Sequence, residues 1–325
     1  MSTSERIDRL RESMMKDSID AFLVTSNENR TYFSGFHGSA GSLWITMKEA
    51  ILATDFRYTE QAKNQAPQYE IVQISGNSDW LKSSMAGNSI QRVGFEALNM
   101  TVATHERILS ILESLGNAPE LISTTSLLDQ IRSVKEPEEL VLIETAVKIA
   151  DQAMEHVGAR IRPGQTEKSV AWELERCMRE LGADSLSFST IVAAGPNGAK
   201  PHHHPTDRPL VAGEGLVIDM GATYQGYCSD ITRTFVLGQP DAKFREIYDT
   251  VLAAQEVASA ISRPGMTGAE IDGLARQLIT DAGYGDSFGH SLGHGIGIAV
   301  HEYPQVGPSA AGTIENGMVF SIEPG

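Results

Sequence analysis

A five-residue helix breaker occurs twice in this chain: Arg162-Pro163-Gly164-Gln165-Thr166 and, 101 residues later, Arg263-Pro264-Gly265-Met266-Thr267. Each copy follows an apolar stripe with the three-four spacing of one helical face. The first stripe is Leu140, Ile143, Val147, Ala150, Met154 and Val157, entered through Pro137, which suits a first helical turn. The second is Phe244, Ile247, Val251, Ala254, Ala258 and Ile261. Another helix follows each breaker and stops at a glycine, Gly182 or Gly283, again 101 residues apart. Ser187-Phe188 and Ser287-Phe288 come next at nearly the same offset. A shared pentapeptide alone could arise by chance. Breaker, flanking helices and stops in one register indicate duplication. Residues 132 to 325 are therefore expected to form one domain of two similar halves, each two helices followed by strands.

In the first half the expected strands run from Leu216 to Asp219 and from Cys228 to Val236, with a tight turn at Tyr224-Gln225-Gly226. Centring that hairpin between Tyr224 and Gln225 puts Asp219 opposite Asp230, with Cβ atoms about 5 Å apart. Carboxylates so placed repel each other, and a buried unpaired one is too costly to persist. A cation between them relieves both problems; an exposed aspartate pair is the plainer alternative. The second half offers a counterpart, because Gly317 to Glu323 resembles Gly215 to Asp219. The interval from glycine to acid is even in both, so the acids share strand parity. Duplication then predicts a return strand with a second acid matching Asp230. The sequence stops at Gly325 before it, so the chain reads as C-terminally truncated.

His290, His294 and His301 fall in one glycine-rich segment that ends at Pro304. Glycine lets backbone pass close to an ion or substrate, and imidazoles bind metals and move protons near neutral pH. Alone, any of them reads as structural; together with the acids they indicate an enzyme site. His202, His203 and His204, between Pro201 and Pro205, read by themselves as loop residues. Glu302 reads as the partner of a nearby cation, and Tyr227 and Arg233 as packing and ion-pairing residues.

The formal net charge of −16 disfavours nucleic acid or an anionic membrane as partner. Cys177 and Cys228 suggest no disulfide framework. No apolar run is long enough to span a bilayer, and Met1 to Met15 is too polar for a signal peptide, so cytoplasm is the expected location. Residues 1 to 131 read as a small α/β domain. A helix is expected from Arg6 to Lys16, and strands at Ala21 to Val24, Leu43 to Thr46, Ile51 to Thr54, Ile71 to Ile74 and Val93 to Phe95. A helix from His105 to Leu115 is expected to be capped by Thr104 and to stop near Gly116. The turn from Gly35 to Gly41 lacks the phosphate-loop lysine, and its His37 reads as structural. Asp55-Phe56-Arg57-Tyr58 reads as an ion pair or an interface.

Pro201-His202, Asp219, Ser229 to Thr234, His290 to Pro304 and Ser321 to Gly325 occur in the order of the pita-bread metallopeptidases. Residues 132 to 325 resemble that family, in particular its aminopeptidase P and prolidase branch. Tyr32 to Phe36 and Thr54 to Tyr58 extend the likeness to a creatinase-like N-terminal domain. The implied architecture is α+β: a small α/β domain followed by a pita-bread domain of two pseudo-symmetric halves. The resemblance implies two divalent ions. Asp219 would bind one, Asp230 would bridge both, and His294 and Glu323 would bind the other, with a further bridging glutamate expected after Gly325. A carboxylate-rich set with one histidine suits manganese, and cobalt or zinc can substitute.

The activity implied is hydrolysis of the peptide bond preceding proline, on peptides with proline in the second position, by an Xaa-Pro aminopeptidase or an Xaa-Pro dipeptidase. Glu323 would help deprotonate water, and His301 would steady the oxyanion or pass a proton. His202, His290 and His301 would contact substrate. The family often forms homodimers. Two competitors are a metal-free hydrolase like creatinase, which the retained ligand residues disfavour, and a catalytically impaired binding module lacking the fifth ligand.

Overall fold

The computed structural model describes residues 3–75, 79–85, 90–115 and 118–325. The chain divides into two compact units, Met1–Arg132 and Ser133–Gly325. The first contains α1 (Thr3–Lys16), β1 (Ala21–Val24), α2 (Asn27–Ser34), β2 (Ser42–Thr46), β3 (Ala50–Thr54), α3 (Thr59–Gln65), β4 (Glu70–Gln73), α4 (Asp79–Met85), β5 (Arg92–Glu96), α5 (Val102–Glu113), β6 (Glu120–Thr124) and α6 (Leu127–Ser133). Its sheet runs β4-β3-β2-β1-β5-β6. β2 is antiparallel to β1 and β3, and the outer pairings are parallel. Strands β1 and β2 are apolar on both faces, and Phe22, Leu23, Leu43, Trp44 and Ile45 are buried. That is why they were legible as short continuous apolar runs.

One expectation for this unit needs amending. The cap of α5 is Thr101, whose side chain accepts from the Thr104 amide, so the helix starts one turn before the expected Thr104. The expected stop near Gly116 lies outside the described residues. Asp55 and Arg57 do form an exposed ion pair, at 2.7 Å.

The second unit begins with α7 (Pro137–Gly158) and α8 (Glu167–Glu180). It continues through β7 (Ser185–Leu186), β8 (Ile191–Ala194), β9 (Gly215–Met220), β10 (Ala222–Tyr224), β11 (Tyr227–Cys228) and β12 (Ile231–Val236). The second half supplies α9 (Ala242–Ile261), α10 (Gly268–Asp281), β13 (Gly293–Gly295) and β14 (Glu302–Val306). The sheets are β12-β9-β8, β11-β10-β7 and β13-β14. α7 opens with a capping box in which Glu136 and Glu139 each bond the other's backbone amide. It buries Ile143, Ala146, Ile149, Ala150, Ala153, Met154 and Val157, and the last five share a core with residues of α8, β8, β9 and β10. Val147 is 39% exposed, so the buried stripe is centred one position away from the one read from spacing.

The duplication is visible atom by atom. Thr166 and Thr267 both cap the helices that follow them with capping boxes. Gly164 and Gly265 sit at φ +91° and +94°, a region open to glycine and strained for other residues. Their amides donate to Leu210 and Ile314, whose own amides donate back to Gln165 and Met266. Downstream, Gly213 and Gly317 share φ +88° and +89°. Gly213, rather than the expected Gly215, is therefore the counterpart of Gly317. Both glycines stand six residues before their acid, Asp219 or Glu323. Met318 to Glu323 runs alongside β13, with Ser321 N donating to His294 O and Glu323 N to Leu292 O, both at 2.8 Å. No helix among the described residues is long and apolar enough to cross a membrane.

Candidate metal centre

The acids of the first half come from the β9–β12 ribbon. Asp219 pairs with Thr232, and Tyr224 with Tyr227. The connecting turn holds Gln225 at φ 46° and Gly226 at φ 83°. Two successive positive values are the signature of a type I′ hairpin, whose twist matches its strands. The hairpin is thus centred between Gln225 and Gly226, one position beyond the expected centre. This corrects the register: Thr232, not Asp230, lies opposite Asp219, and continuing the pairing puts Gly221 across from Asp230. Asp219 and Asp230 remain on one face as diagonal neighbours, still within side-chain reach. Gly221 leaves room there; a Cβ on it would lie 2.0 Å from the Ser229 carbonyl.

From the second half, His294 projects from β13 and Glu323 from the segment paired with it. His294 Nε2 is 3.0 Å from Glu323 Oε1 and 3.5 Å from Asp230 Oδ2. One ligand atom from each of Asp230, His294 and Glu323 lies within 4.8 Å of the others, as one ion requires. The His294 Nδ1 atom is 3.0 Å from the Gly295 carbonyl, which only accepts, so Nδ1 carries a proton and Nε2 is turned to the acids. Ser321 Oγ donates to Glu323 Oε1 at 2.8 Å and accepts from the His294 amide at 3.0 Å, fixing both.

Asp219 lies outside that trio, and its buried Oδ1 accepts no hydrogen bond. Burial, and next the Asp230 carboxylate, push its carboxyl up to about 7 against the pull of Thr232. Burial would lower the His294 imidazole, but hydrogen bonds to Asp230, Glu323 and the Gly295 carbonyl raise it to about 10. Burial would raise Glu323, and hydrogen bonds from His294 and Ser321 reverse this, leaving it below the usual range. An orphaned carboxylate oxygen beside a crowded carboxylate–imidazole trio is the environment a divalent cation relieves. The donor set of oxygens and one imidazole nitrogen fits such an ion.

The remaining histidines surround this cluster. His301 stacks edge-on against His294, with ring centroids 4.2 Å apart. Burial and the His294 charge lower its pKa, and His202 is close enough to add to that. His290 is exposed and packs edge-on to Phe288; its charge is felt at Glu323. His202 is exposed, whereas its neighbour His203 is buried and bonded to Glu167 at 2.9 Å.

The cation expected beside Glu302 is Lys135, in a pair whose side chains are 3% and 1% exposed. Tyr227 donates to Glu139 at 2.9 Å. Arg233 is exposed and donates to its neighbour's carbonyl on Thr232. Sequence spacing gave no sign of Glu167 or Lys135, nor of the bonds by which Ser321 ties Glu323 to the His294 amide. The Asp272–Arg276 pair, four apart on α10, could have been read; it holds the Phe288 and His290 carbonyls and the Leu292 amide.

Comparison with known proteins gives two family matches. Metallopeptidase family M24 matches residues 141–325, and the creatinase/prolidase N-terminal domain matches residues 6–134. The chain is similar to an Xaa-Pro dipeptidase from Bacillus anthracis, with TM-score 0.93 and 41% identity over 99% of this chain and 90% of that one. It is 36% identical to the Xaa-Pro dipeptidase of Pyrococcus horikoshii over 99% of this chain and 90% of the relative. An X-Pro aminopeptidase structure from Thermotoga maritima superposes with TM-score 0.89 at 36% identity, covering 98% of this chain and 89% of that one.

Proposed function

This chain belongs to metallopeptidase family M24, and we propose that it hydrolyses the peptide bond preceding proline, releasing the N-terminal residue of Xaa-Pro peptides. It is a peptidase of a family that uses divalent metal ions, with a creatinase-type N-terminal domain. The observation that carries the finer reading is the meeting of Asp230, His294 and Glu323 beside the unsatisfied oxygen of Asp219. In this reading residues 132–325 are the catalytic domain and 1–131 the N-terminal domain. Asp219, Asp230, His294 and Glu323 hold two divalent ions, manganese by preference. Bound there, the ions would supply Lewis acidity and ease ionisation of water near neutral pH.

The chain's own groups do the rest. Glu323 accepts the proton of the attacking water. His301, against the trio, donates to the carbonyl oxygen as it becomes an oxyanion, or passes the proton to the departing proline nitrogen. His290 and His202 line the substrate side and orient the scissile carbonyl. The active species is proposed to be a homodimer. The names of the dipeptidase relatives favour a second reading, in which only free Xaa-Pro dipeptides are cleaved.

Supplying manganese and comparing Xaa-Pro dipeptides, Xaa-Pro-Yaa tripeptides and matched Xaa-Ala peptides tests both readings. Metal-dependent release of Xaa from the proline peptides alone supports the proposal. Cleavage confined to dipeptides selects the dipeptidase. Absence of metal-dependent proline-specific cleavage defeats both.

A further inference from the structure

Glu167 stands at the start of α8, completely buried, and its carboxylate serves one loop. Oε1 accepts from the Ala194 amide at 2.8 Å and from Asn197 Nδ2 at 2.9 Å. Oε2 accepts from the Thr206 amide at 2.9 Å, from Thr206 Oγ1 at 2.6 Å and from His203 Nε2 at 2.9 Å. These contacts bracket His202 on both sides.

The duplicate half shows that the frame does not need this carboxylate. The residue matching Glu167 is Gly268, where a Cβ would lie 2.2 Å from the Gln305 carbonyl. Both halves nonetheless dock the loop onto the helix start through the same backbone bonds. Glu167 N reaches Arg208 O and Lys168 N reaches Thr206 O; Gly268 N reaches Gly312 O and Ala269 N reaches Ala310 O. The second half's loop is further ordered as β14, paired with β13. The first half's loop has only a 3-10 turn, Gly195–Ala199, and Glu167 stands in for the missing pairing. A group absent from the shared frame and bonded on either side of His202 is placed to orient that histidine.

We propose that Glu167 is a positioning residue for His202, holding the 194–206 loop so that His202 keeps the substrate-side placement proposed above. The proposal rests on the reading of His202 as a substrate-side group. Removal of a supporting group of this kind costs about tenfold or more in activity.

A double-mutant cycle tests it. Glu167→Gln is expected to lower kcat/KM on an Xaa-Pro peptide about tenfold in the wild-type background, and to change it less than about twofold when His202 is already alanine. Thr206→Val, which removes one donor and keeps the carboxylate, is expected to act the same way more mildly. A readout independent of turnover is the His202 ring signal in NMR spectra of the metal-free protein, assigned by its loss in His202→Ala. The signal should shift or broaden in both Glu167→Gln and Thr206→Val. Equal losses of kcat/KM with and without His202, or an unmoved ring signal, would overturn the proposal. If the wild type fails to cleave Xaa-Pro peptides while the ring signal responds, the positioning stands and the functional reading falls.

Discussion

α7 and α9 hold matching places in the two halves, yet they are used differently. α7 buries a full face, including Ile143 and Ala146. α9 buries only Ala254 and Ala258, while Ile247, the repeat partner of Ala146, is 40% exposed, and Tyr248 and Leu252 are 41% exposed. α7 packs on α8 and on the strands β10, β11 and β12, whereas α9 packs on α10, and its two buried alanines share a core with Leu292, Val306 and Ile314. The same apolar spacing therefore yields two helices but only one fully covered stripe. Periodicity fixes where a helix forms; a partner surface fixes what the stripe contributes.

The chemistry divides the same way. The paired strands β8 and β13 carry Ala193 and His294 at matching positions, and their partner segments carry Asp219 and Glu323. In the proposed reading the first half would give oxygen ligands and the second would add the imidazole. His294→Ala makes the second half like the first at this point, which is the sharpest way to break the contrast. Loss of a ligand forfeits several kcal/mol of charge stabilisation, so kcat/KM should fall about a thousandfold or more. Metal content by elemental analysis should fall with it. Retained metal and activity within about tenfold of wild type would remove His294 from the centre.

The packing contrast comes next in size. Ile143→Ala removes a side chain only 5% exposed and should cost about 2–5 kcal/mol in urea unfolding. Ile247→Ala, at the half-open surface of α9, should cost less than about 1 kcal/mol. Equal losses would mean that α9 is covered in solution.

Much of this contrast was legible beforehand and some was not. The breaker pair and the stops at Gly182 and Gly283 are local signals, and they appear in the structure where spacing put them; the capping by Thr166 and Thr267 is seen only in the structure. The hairpin register was misjudged because Gln225, which is not a glycine, occupies the first positive-φ position of the turn. α2 went unread because Asn27-Glu28-Asn29-Arg30 is a weak helix former. It is held by the Ser26 cap and by Glu96, which accepts from the Ser26 amide at 2.9 Å across a separation of 70 residues. Lys135 and Glu167 escaped notice for the same reason: their partners, Glu302 and the 194–206 loop, are remote in sequence.

The smallest expected effect concerns protons, and it separates the halves by pH. Asp219 is pushed up to about 7 by burial and by Asp230, whereas an unfolded aspartate titrates near ~3.9. Between those values the folded, metal-free protein binds the extra proton, so its stability falls as pH rises through that window. His294, raised to about 10 over an unfolded value near ~6.5, contributes stability that is complete below the lower figure and lost as pH climbs to the higher. A divalent ion held by these groups, as proposed, would displace both protons, so apparent affinity should rise with pH, about tenfold per unit for each proton released. Glu167 runs the other way. Burial would raise it, but bonds from Thr206, Ala194, Asn197 and His203 take it down to about 2, so its contribution is full above the unfolded value and lost only on acidification below it. Calorimetric titration with manganese, in buffers of different ionisation enthalpy, reads the proton count directly. Asp219→Asn should reduce the release seen near pH 6, which is the share of the first half. His294→Ala should reduce the release that persists at pH 8, which is the share of the second. An identical proton count per ion in wild type and both variants would show that these two groups do not hold the protons the ion displaces.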